Sequence, residues 1–332
     1  MSDVITQAKK EIAAIVGVRN LLDQDNDKAA YEHEWRGHFH NLRAAFVVTP
    51  GNTQEVSDVV KICCKYKIPM IPQAGNTGLV AAGVPFGKGT EAIISVKRLK
   101  SVRSIDTLEN TIVVDSGCTL QQVQDAAKAS NRLFPLSIGS QGTCQIGGNI
   151  GSNAGGITVL RYGNMRELVL GLEVVLPDGE IWHGLRRLRK DNTGYDLKQL
   201  FIGGEGTLGI ITAAVLKLFP IPAGKITGFL GLESPEQALE CLSLMREASG
   251  EWLTSFEIMP RAGIELVTSN YPDCRDPLPD GQYPWYVLFE IAPSTKNEAF
   301  QEDIEEMLAG CFENELVLDA VIAQSEQQST QL

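Results

Sequence analysis

Apolar positions along this chain switch between two spacings, one near 3.6 residues and one of 2, and each switch predicts a change of element. Ala8-Lys9-Lys10-Glu11-Ile12-Ala13-Ala14-Ile15-Val16 is rich in helix formers and stops at Gly17, which predicts a helical arm within residues 1–37. Phe46-Val47-Val48 predicts a short strand, Thr53 with Glu55 caps a helix from Val56 to Tyr66, and Pro69-Met70-Ile71-Pro72 predicts a second strand. Further strands are expected at Ala92–Val96 and Thr111–Asp115, with a capped helix opening at Thr119 and running to Ala129. Leu168 to Leu176 is strand-like and closes at Pro177-Asp178-Gly179-Glu180, an Asp-Gly hairpin signal before Ile181-Trp182-His183. The β-branched run from Ile210 to Leu218 is followed by Pro220-Ile221-Pro222, a domain boundary by its two prolines. Beyond it, Ser234 and Pro235 open a helix, Trp285–Ile291 is a strand and Glu298–Leu308 a helix. This is an α+β chain whose second, smaller α/β domain begins near residue 221.

Two segments fit neither spacing. Between Gly139 and Gly156 glycine and small polar residues displace nearly everything able to build a core, and Pro72-Gln73-Ala74-Gly75-Asn76-Thr77-Gly78-Leu79 has the same character directly after a predicted strand. Glycine lets backbone N–H groups approach an anion with no Cβ in the way and permits the positive φ angles of an amide cradle. Two such uncharged loops predict one large phosphate-bearing ligand, with plain surface connection as the alternative. A formal G-x-G-x-x-G occurs at Gly204-Glu205-Gly206-Thr207-Leu208-Gly209, but β-branched strand sequence follows it where a nicotinamide-dinucleotide fold requires a helix, so a tight turn or a ligand contact is expected there.

Composition narrows the class. The 332 residues suffice for about two domains, and the 43% hydrophobic and 21% charged content is that of an ordinary folded protein. No apolar run reaches the ~20 residues of a membrane helix, and no basic n-region with an apolar h-region opens the chain, so a soluble, cytoplasmic protein is expected. A net charge of −12 excludes the basic face of a nucleic-acid binder. The one basic run, Arg186-Arg187-Leu188-Arg189-Lys190, reads as a solvated loop or a contact for an acidic group. The 7 cysteines show no C-x-x-C spacing and are expected reduced and mostly buried, with Cys63-Cys64 on a packed helix face.

Longer stretches carry a family resemblance. Pro72 to Leu79, Gly147-Gly148-Asn149 with Asn153-Ala154-Gly155-Gly156, and Arg161-Tyr162-Gly163-Asn164-Met165-Arg166 match it, as do Gly171 to Gly179, Lys190 to Leu197 and Gly206-Thr207-Leu208-Gly209. With these segments the chain resembles the FAD-linked oxidases of the vanillyl-alcohol oxidase and p-cresol methylhydroxylase family, nearest the D-2-hydroxyglutarate dehydrogenase, D-lactate dehydrogenase and glycolate oxidase D-subunit group. The resemblance implies a two-subdomain FAD-binding domain over 38–220 and an incomplete substrate or cap domain over 221–332. It implies that Pro72, Gln73, Ala74, Gly75, Asn76, Thr77, Gly78 and Leu79 wrap the FAD pyrophosphate. Ser140, Gly142, Thr143, Gly148, Asn153 and Gly155 would line the flavin and ribityl chain, and Gly209-Ile210 would meet the base. Covalent members carry a histidine in the first loop; here Gln73 and Asn76 stand without one, so FAD is expected to be non-covalent.

The implied chemistry is hydride transfer from the α-carbon of a D-2-hydroxy acid to the flavin, with the electrons passed to an acceptor such as electron-transfer flavoprotein or a quinone. A substrate carboxylate needs a cation, for which Arg161, Arg166 and Arg36 are candidates, and the hydroxyl needs a base or a metal. In the group resembled, the metal and base come from C-terminal His and Glu residues. The histidines here are His33, His38, His40 and His183, so that metal site is expected to be missing and the chain to be truncated relative to the family. His33, His38 and His40 are a candidate substitute, with His38-Phe39-His40 placing both imidazoles on one strand face and Glu32 or Glu34 adding an oxygen, and a solvated loop is the plainer reading of the segment. The alternative to an active enzyme is a flavin-binding fragment, inactive or half of a split enzyme. A cap ending within its core would leave apolar surface at 285–291 and 316–322 open to self-association, and a homodimer is one outcome.

Overall fold

The computed structural model describes residues 2–295 and 298–332 and divides the chain into two compact units. Residues 2–155 with Asn164–Phe219 make the first, and Gly156–Gly163 with Pro220–Leu332 make the second.

The first unit opens with α1 (Ser2–Val16), which is no free arm. Ala8, Ile12 and Val16, four residues apart on one face, are buried in the same core as Val56, Val59, Val60 and Cys63 of α2 (Thr53–Lys65). That second set has the i, i+3, i+4, i+7 spacing of a helix stripe, and each such side chain contributes about 1.5–3 kcal/mol on burial. Both helices pack on a four-stranded sheet of β1 (Leu21–Leu22), β2 (Phe46–Val48), β3 (Met70–Gln73) and β4 (Ala92–Ser95), in the order β1-β2-β4-β3. The last three strands are parallel, so β3 must be reached through the α2 crossover, and its C-terminal end releases the first glycine loop at the edge of the sheet. The cap of α2 is Asn52, whose side chain accepts from the Glu55 amide, where the sequence suggested Thr53. Thr53 is instead the first helical residue, its hydroxyl donating to Glu173 at 2.7 Å.

A second, antiparallel sheet of the same unit is built from β5 (Val102–Asp106), β6 (Thr111–Asp115), β7 (Val169–Val175), β8 (Ile181–Gly184) and β9 (Ile210–Lys217), in the order β5-β6-β9-β7-β8. β7 and β8 form the hairpin that the Asp-Gly turn predicts, with Gly179 at φ 88°. Leu120–Ala129 is a helix with a full capping box at Thr119. Ile146–Gly151 is a single short helix inside the second glycine-rich segment.

In the second unit an antiparallel sheet runs Leu253–Pro260, Trp285–Ile291, Ile226–Leu232 and Asp319–Ile322 in spatial order. The helices Pro235–Ser249 and Glu298–Glu313 contribute Cys241, Met245, Ile304 and Leu308 to a core shared with Val287, Phe289 and Ile291. The open apolar surface expected at 285–291 is therefore not found: Tyr286, Val287, Phe289 and Ile291 are fully buried because this strand is central in its sheet. Val317 is also buried, residues 319–322 are half-buried, and Leu318 is exposed.

Candidate functional site

The two glycine-rich segments and the Gly204–Gly209 turn meet at one cleft of about 300 Å³ within the first unit. β3 and the loop after it supply Pro72 to Gly78, Val80, Ala82 and Gly83; the helix Ile146–Gly151 and its flanks supply Ser140, Gln145, Gly147 to Asn149, Gly151, Ser152 and Ala154; the turn before β9 supplies Glu205, Gly206, Gly209, Ile210 and Ile211. Val96 and Ile138 complete the lining.

Backbone approach explains the glycines. A Cβ on Gly75 would stand 2.4 Å from the Thr143 carbonyl oxygen and 3.1 Å from the Gln145 amide nitrogen, so only glycine lets the first loop lie directly on the second segment. Gly206, at φ 77°, sits so close to Pro72 that a Cβ would fall 2.9 Å from its Cγ, which seats the turn on the end of β3. The first loop is also tied from behind. Gln73 Nε2 donates to the carbonyls of Tyr31 (2.8 Å) and Gly83 (2.7 Å), Asn76 Nδ2 donates to His33 O (2.9 Å), and Trp35 Nε1 donates to Asn76 O. Asn76 itself adopts φ 50°, a left-handed conformation that Asn tolerates better than most residues.

The amides of Gly75 to Gly78 donate to no acceptor among the described residues. Buried polar atoms are orphaned nearby as well: Gln145 Oε1, in the lining, and Ser95 Oγ and Ser116 Oγ, on residues adjoining Val96 and Gly147. Backbone polar groups gathered at a cleft without protein partners are what an oxygen-rich ligand satisfies. The lining contains no Lys or Arg, so a phosphate here is held by amide dipoles rather than by ion pairs. It also contains no His, Cys or Tyr. A dinucleotide fits this chemistry: uncharged amides for the pyrophosphate, and apolar side chains such as Val96, Ile138, Ile210 and Ile211 for its rings.

Of the residues expected at a cofactor, Pro72 to Gly78, Ser140, Gly148, Gly209 and Ile210 come together in the cleft. Leu79, Gly142, Thr143, Asn153 and Gly155 do not line it. Leu79 points into solvent at 52% exposure. Gly142 is exposed in a turn, Thr143 supports Gly75 from beneath through its carbonyl, and Asn153, at φ 49°, accepts from the Arg166 amide at 2.9 Å. Gln145 and Glu205 fall inside segments whose glycines carry the signal, and Val96 has none, since nothing local distinguishes a strand-end valine that folding will bring to a cleft.

The cations proposed for a substrate carboxylate are occupied or apart from the cleft. Arg166 donates to Gln199 O (3.1 Å), Gln199 Oε1 (2.7 Å) and Ile202 O (2.6 Å), which makes it a brace for the 197–203 turn. Arg161 lies in the second unit, where it donates to Ala292 O and to Ser294 Oγ and stacks 5.0 Å over Tyr162. Arg36 is exposed, as is the whole run from Arg186 to Lys190, and Arg186 pairs with Asp191 at 3.0 Å. His38 and His40 lie in irregular, exposed chain and not on a strand, and Glu32 and Glu34 spend their oxygens on local amides of Ala44, Arg36 and His38. Among the described residues no group of three or more His, Cys, Asp or Glu side chains could hold a metal. Cys63 is buried, its thiol pushed up to about 12 by burial, while Cys64 faces out, its Sγ donating to Pro177 O; the pair does not share the packed face expected for it. No described helix is long and apolar enough to cross a membrane.

Comparison with known proteins agrees with this geometry. The FAD binding domain family matches residues 44–184, and the C-terminal domain of FAD linked oxidases matches 221–332. The chain is 36% identical over 310 residues to a putative mitochondrial D-lactate dehydrogenase of Schizosaccharomyces pombe, covering 92% of this chain and 58% of that one. It is 40% identical over 275 residues to the mitochondrial D-2-hydroxyglutarate dehydrogenase of Bos taurus, covering 82% and 48%, and 34% identical to that of Arabidopsis thaliana, covering 95% and 56%. The chain thus spans about half the length of these relatives. Among solved structures, p-cresol methylhydroxylase with substrate bound shares the fold at TM-score 0.79 and 17% identity, covering all of this chain and 70% of that one. Alkyldihydroxyacetonephosphate synthase does so at TM-score 0.78 and 19% identity, covering 98% and 62%.

Proposed function

The chain belongs to the FAD-linked oxidases, with the mixed α+β fold of p-cresol methylhydroxylase, and from that premise we propose that it is a flavoprotein that oxidises a D-2-hydroxy acid to the 2-oxo acid. The observation that carries the reading is the uncharged amide cleft, assembled from three distant segments and lying within a chain 34–40% identical to D-2-hydroxyglutarate dehydrogenases. FAD, bound without a covalent link, supplies the acceptor for the substrate's hydride. This chain's residues bind and orient it. The free amides of Gly75 to Gly78 meet the pyrophosphate, and Gly209 with Ile210 flank the base. The final electron acceptor in this reading is electron-transfer flavoprotein or a quinone.

A second reading, a flavin-binding protein without catalysis, is favoured by two observations: no metal-competent cluster exists among the described residues, and Arg161 and Arg166 are committed elsewhere. The two readings separate in one experiment. The purified protein is scanned from about 300 to 550 nm, the range of flavin absorption, then mixed anaerobically with D-2-hydroxyglutarate, D-lactate and glycolate in turn. Bleaching by one of them is expected for the enzyme. A yellow protein that none of them reduces supports the second reading, and a colourless one that takes up no FAD ends both. Acid precipitation should leave the flavin in the supernatant; flavin retained in the pellet would contradict non-covalent binding.

A further inference from the structure

Two irregular segments, residues 33–43 and 79–89, are held side by side at the outer wall of the cleft. Asn76 anchors the first, donating from Nδ2 to His33 O (2.9 Å) and accepting from Trp35 Nε1 at its carbonyl, and Gln73 anchors the second by donating to Gly83 O (2.7 Å). The segments meet directly where the Gly89 amide donates to Arg43 O at 3.0 Å and where a Cβ on Gly87 would stand 3.3 Å from Asn41 O. Val80, itself in the cleft lining, is 74% exposed and Phe86 78%, and Trp35 and Phe39 are exposed as well. Three aromatic side chains left in water on adjoining segments are the mark of an interaction surface.

Charge selects the partner. Glu34 is buried, its two oxygens taken by the amides of Arg36 and His38, so the exposed charges of these segments are all cationic: Arg36, Arg43 and Lys88, on a chain of net charge −12. Arg43 is partly spent on Glu32 at 3.5 Å, while the side chains of Arg36 and Lys88 make no hydrogen bond or ion pair among the described residues. Trp, Phe and Arg are the residue types concentrated at protein interfaces. A lipid-binding site instead gathers about 4–8 Lys or Arg on or beside a helix, and a two-fold contact between copies would set these cations against each other. We propose that this surface docks a protein electron carrier that presents acidic residues, seated where the first glycine loop separates the cofactor from solvent. The assignment rests on the FAD reading above and chooses, between its two acceptor classes, the protein. The hydride taken from the substrate then leaves as two electrons, which reduce the carrier, and one proton, which passes to water, and the flavin is reoxidised.

The probe is electron-transfer flavoprotein, with a short-chain quinone for comparison. The FAD-loaded protein, its Arg36→Glu/Lys88→Glu and Phe86→Ser variants, and a control that makes the same charge change on the other exposed basic run, Arg189→Glu/Lys190→Glu, are titrated against dye-labelled carrier by fluorescence anisotropy. Each is also reduced photochemically, without substrate, and mixed with carrier or quinone to follow reoxidation. The unaltered protein should bind the carrier, more weakly as salt is raised. The double charge reversal and Phe86→Ser should each lower affinity and the rate of transfer to the carrier by about tenfold or more, while the control and every rate with the quinone stay within about twofold. Phe86→Ser carries the test should the double variant fail to fold. No binding by the unaltered protein, full binding by the patch variants, or an equal loss in the control would overturn the assignment. So would capture of phosphatidylserine vesicles, or self-association, in place of carrier binding if the patch variants abolish it. A protein that takes up no FAD defeats the FAD reading, whereas one that takes up FAD and fails these outcomes defeats the docking surface alone.

Discussion

At the scale of single residues, the cleft depends on positions where a Cβ has no room. Gly75→Ala forces a methyl against the Thr143 carbonyl and the Cys144 Cα, both backbone, so the first loop must lift off the second segment. The expected outcome is FAD affinity lower by about tenfold or more, with stability reduced by about 1–3 kcal/mol. Gly142→Ala is the control: nothing lies within 4 Å of its Cβ and it does not line the cleft, so both quantities should hold. Isothermal titration with FAD and a urea melt check the pair, and equal losses in the two variants would refute the close-approach argument. Gly75 was legible in the sequence because a glycine within a run of small and polar residues advertises its freedom. Glu205 was not, since a glutamate gives no local sign that its backbone will be left-handed.

At the scale of elements, one buried carboxylate joins four of them. Glu173 on β7 accepts from Arg103 on β5 (3.0 Å), from Thr53 at the start of α2 (2.7 Å) and from Thr212 on β9 (3.0 Å), while Arg103 also binds Asp115 on β6 at 2.6 Å. Burial pushes the Glu173 carboxyl up, but the Arg103 guanidinium and the two hydroxyls outweigh it and hold the group below the ordinary carboxylate range. A depressed folded value stabilises the protein at pH above the unfolded value of about 4.3, and that stabilisation disappears as the pH falls through the folded value. Glu173→Gln should therefore cost about 1–3 kcal/mol near neutrality. Its deficit should shrink as the pH drops below about 4, as read from urea midpoints at a series of pH values. A deficit independent of pH would mean that the carboxylate's charge is not what matters. The same network accounts for the misplaced cap of α2. Asn52 and Thr53 can both cap a helix, and the choice falls to Asn52 because Thr53 is engaged by a residue 120 positions away.

At the scale of the whole molecule, the residues lining the cleft belong to the first unit alone and fall in separate stretches near 72–83, 138–154 and 205–211, with Val96 apart from them. FAD should accordingly slow amide hydrogen exchange most at Gly75 to Gly78, whose N–H groups have no acceptor among the described residues, and in those other stretches. Exchange mass spectrometry with and without FAD tests this, and protection concentrated in 253–332 instead would place the ligand elsewhere. The sequence by itself determined the alternation of strands and helices, the Asp-Gly hairpin, the non-Rossmann turn and the two glycine-rich segments. These follow from side-chain period and backbone freedom, which are local properties. Only the tertiary structure decided that α1 is core and not arm, that Arg161 and Arg166 are braces, that residues 285–291 form a covered central strand, and that Glu205 stands in the cleft. Each of those depends on which surfaces meet across scores of residues, and neither spacing nor composition encodes the partner.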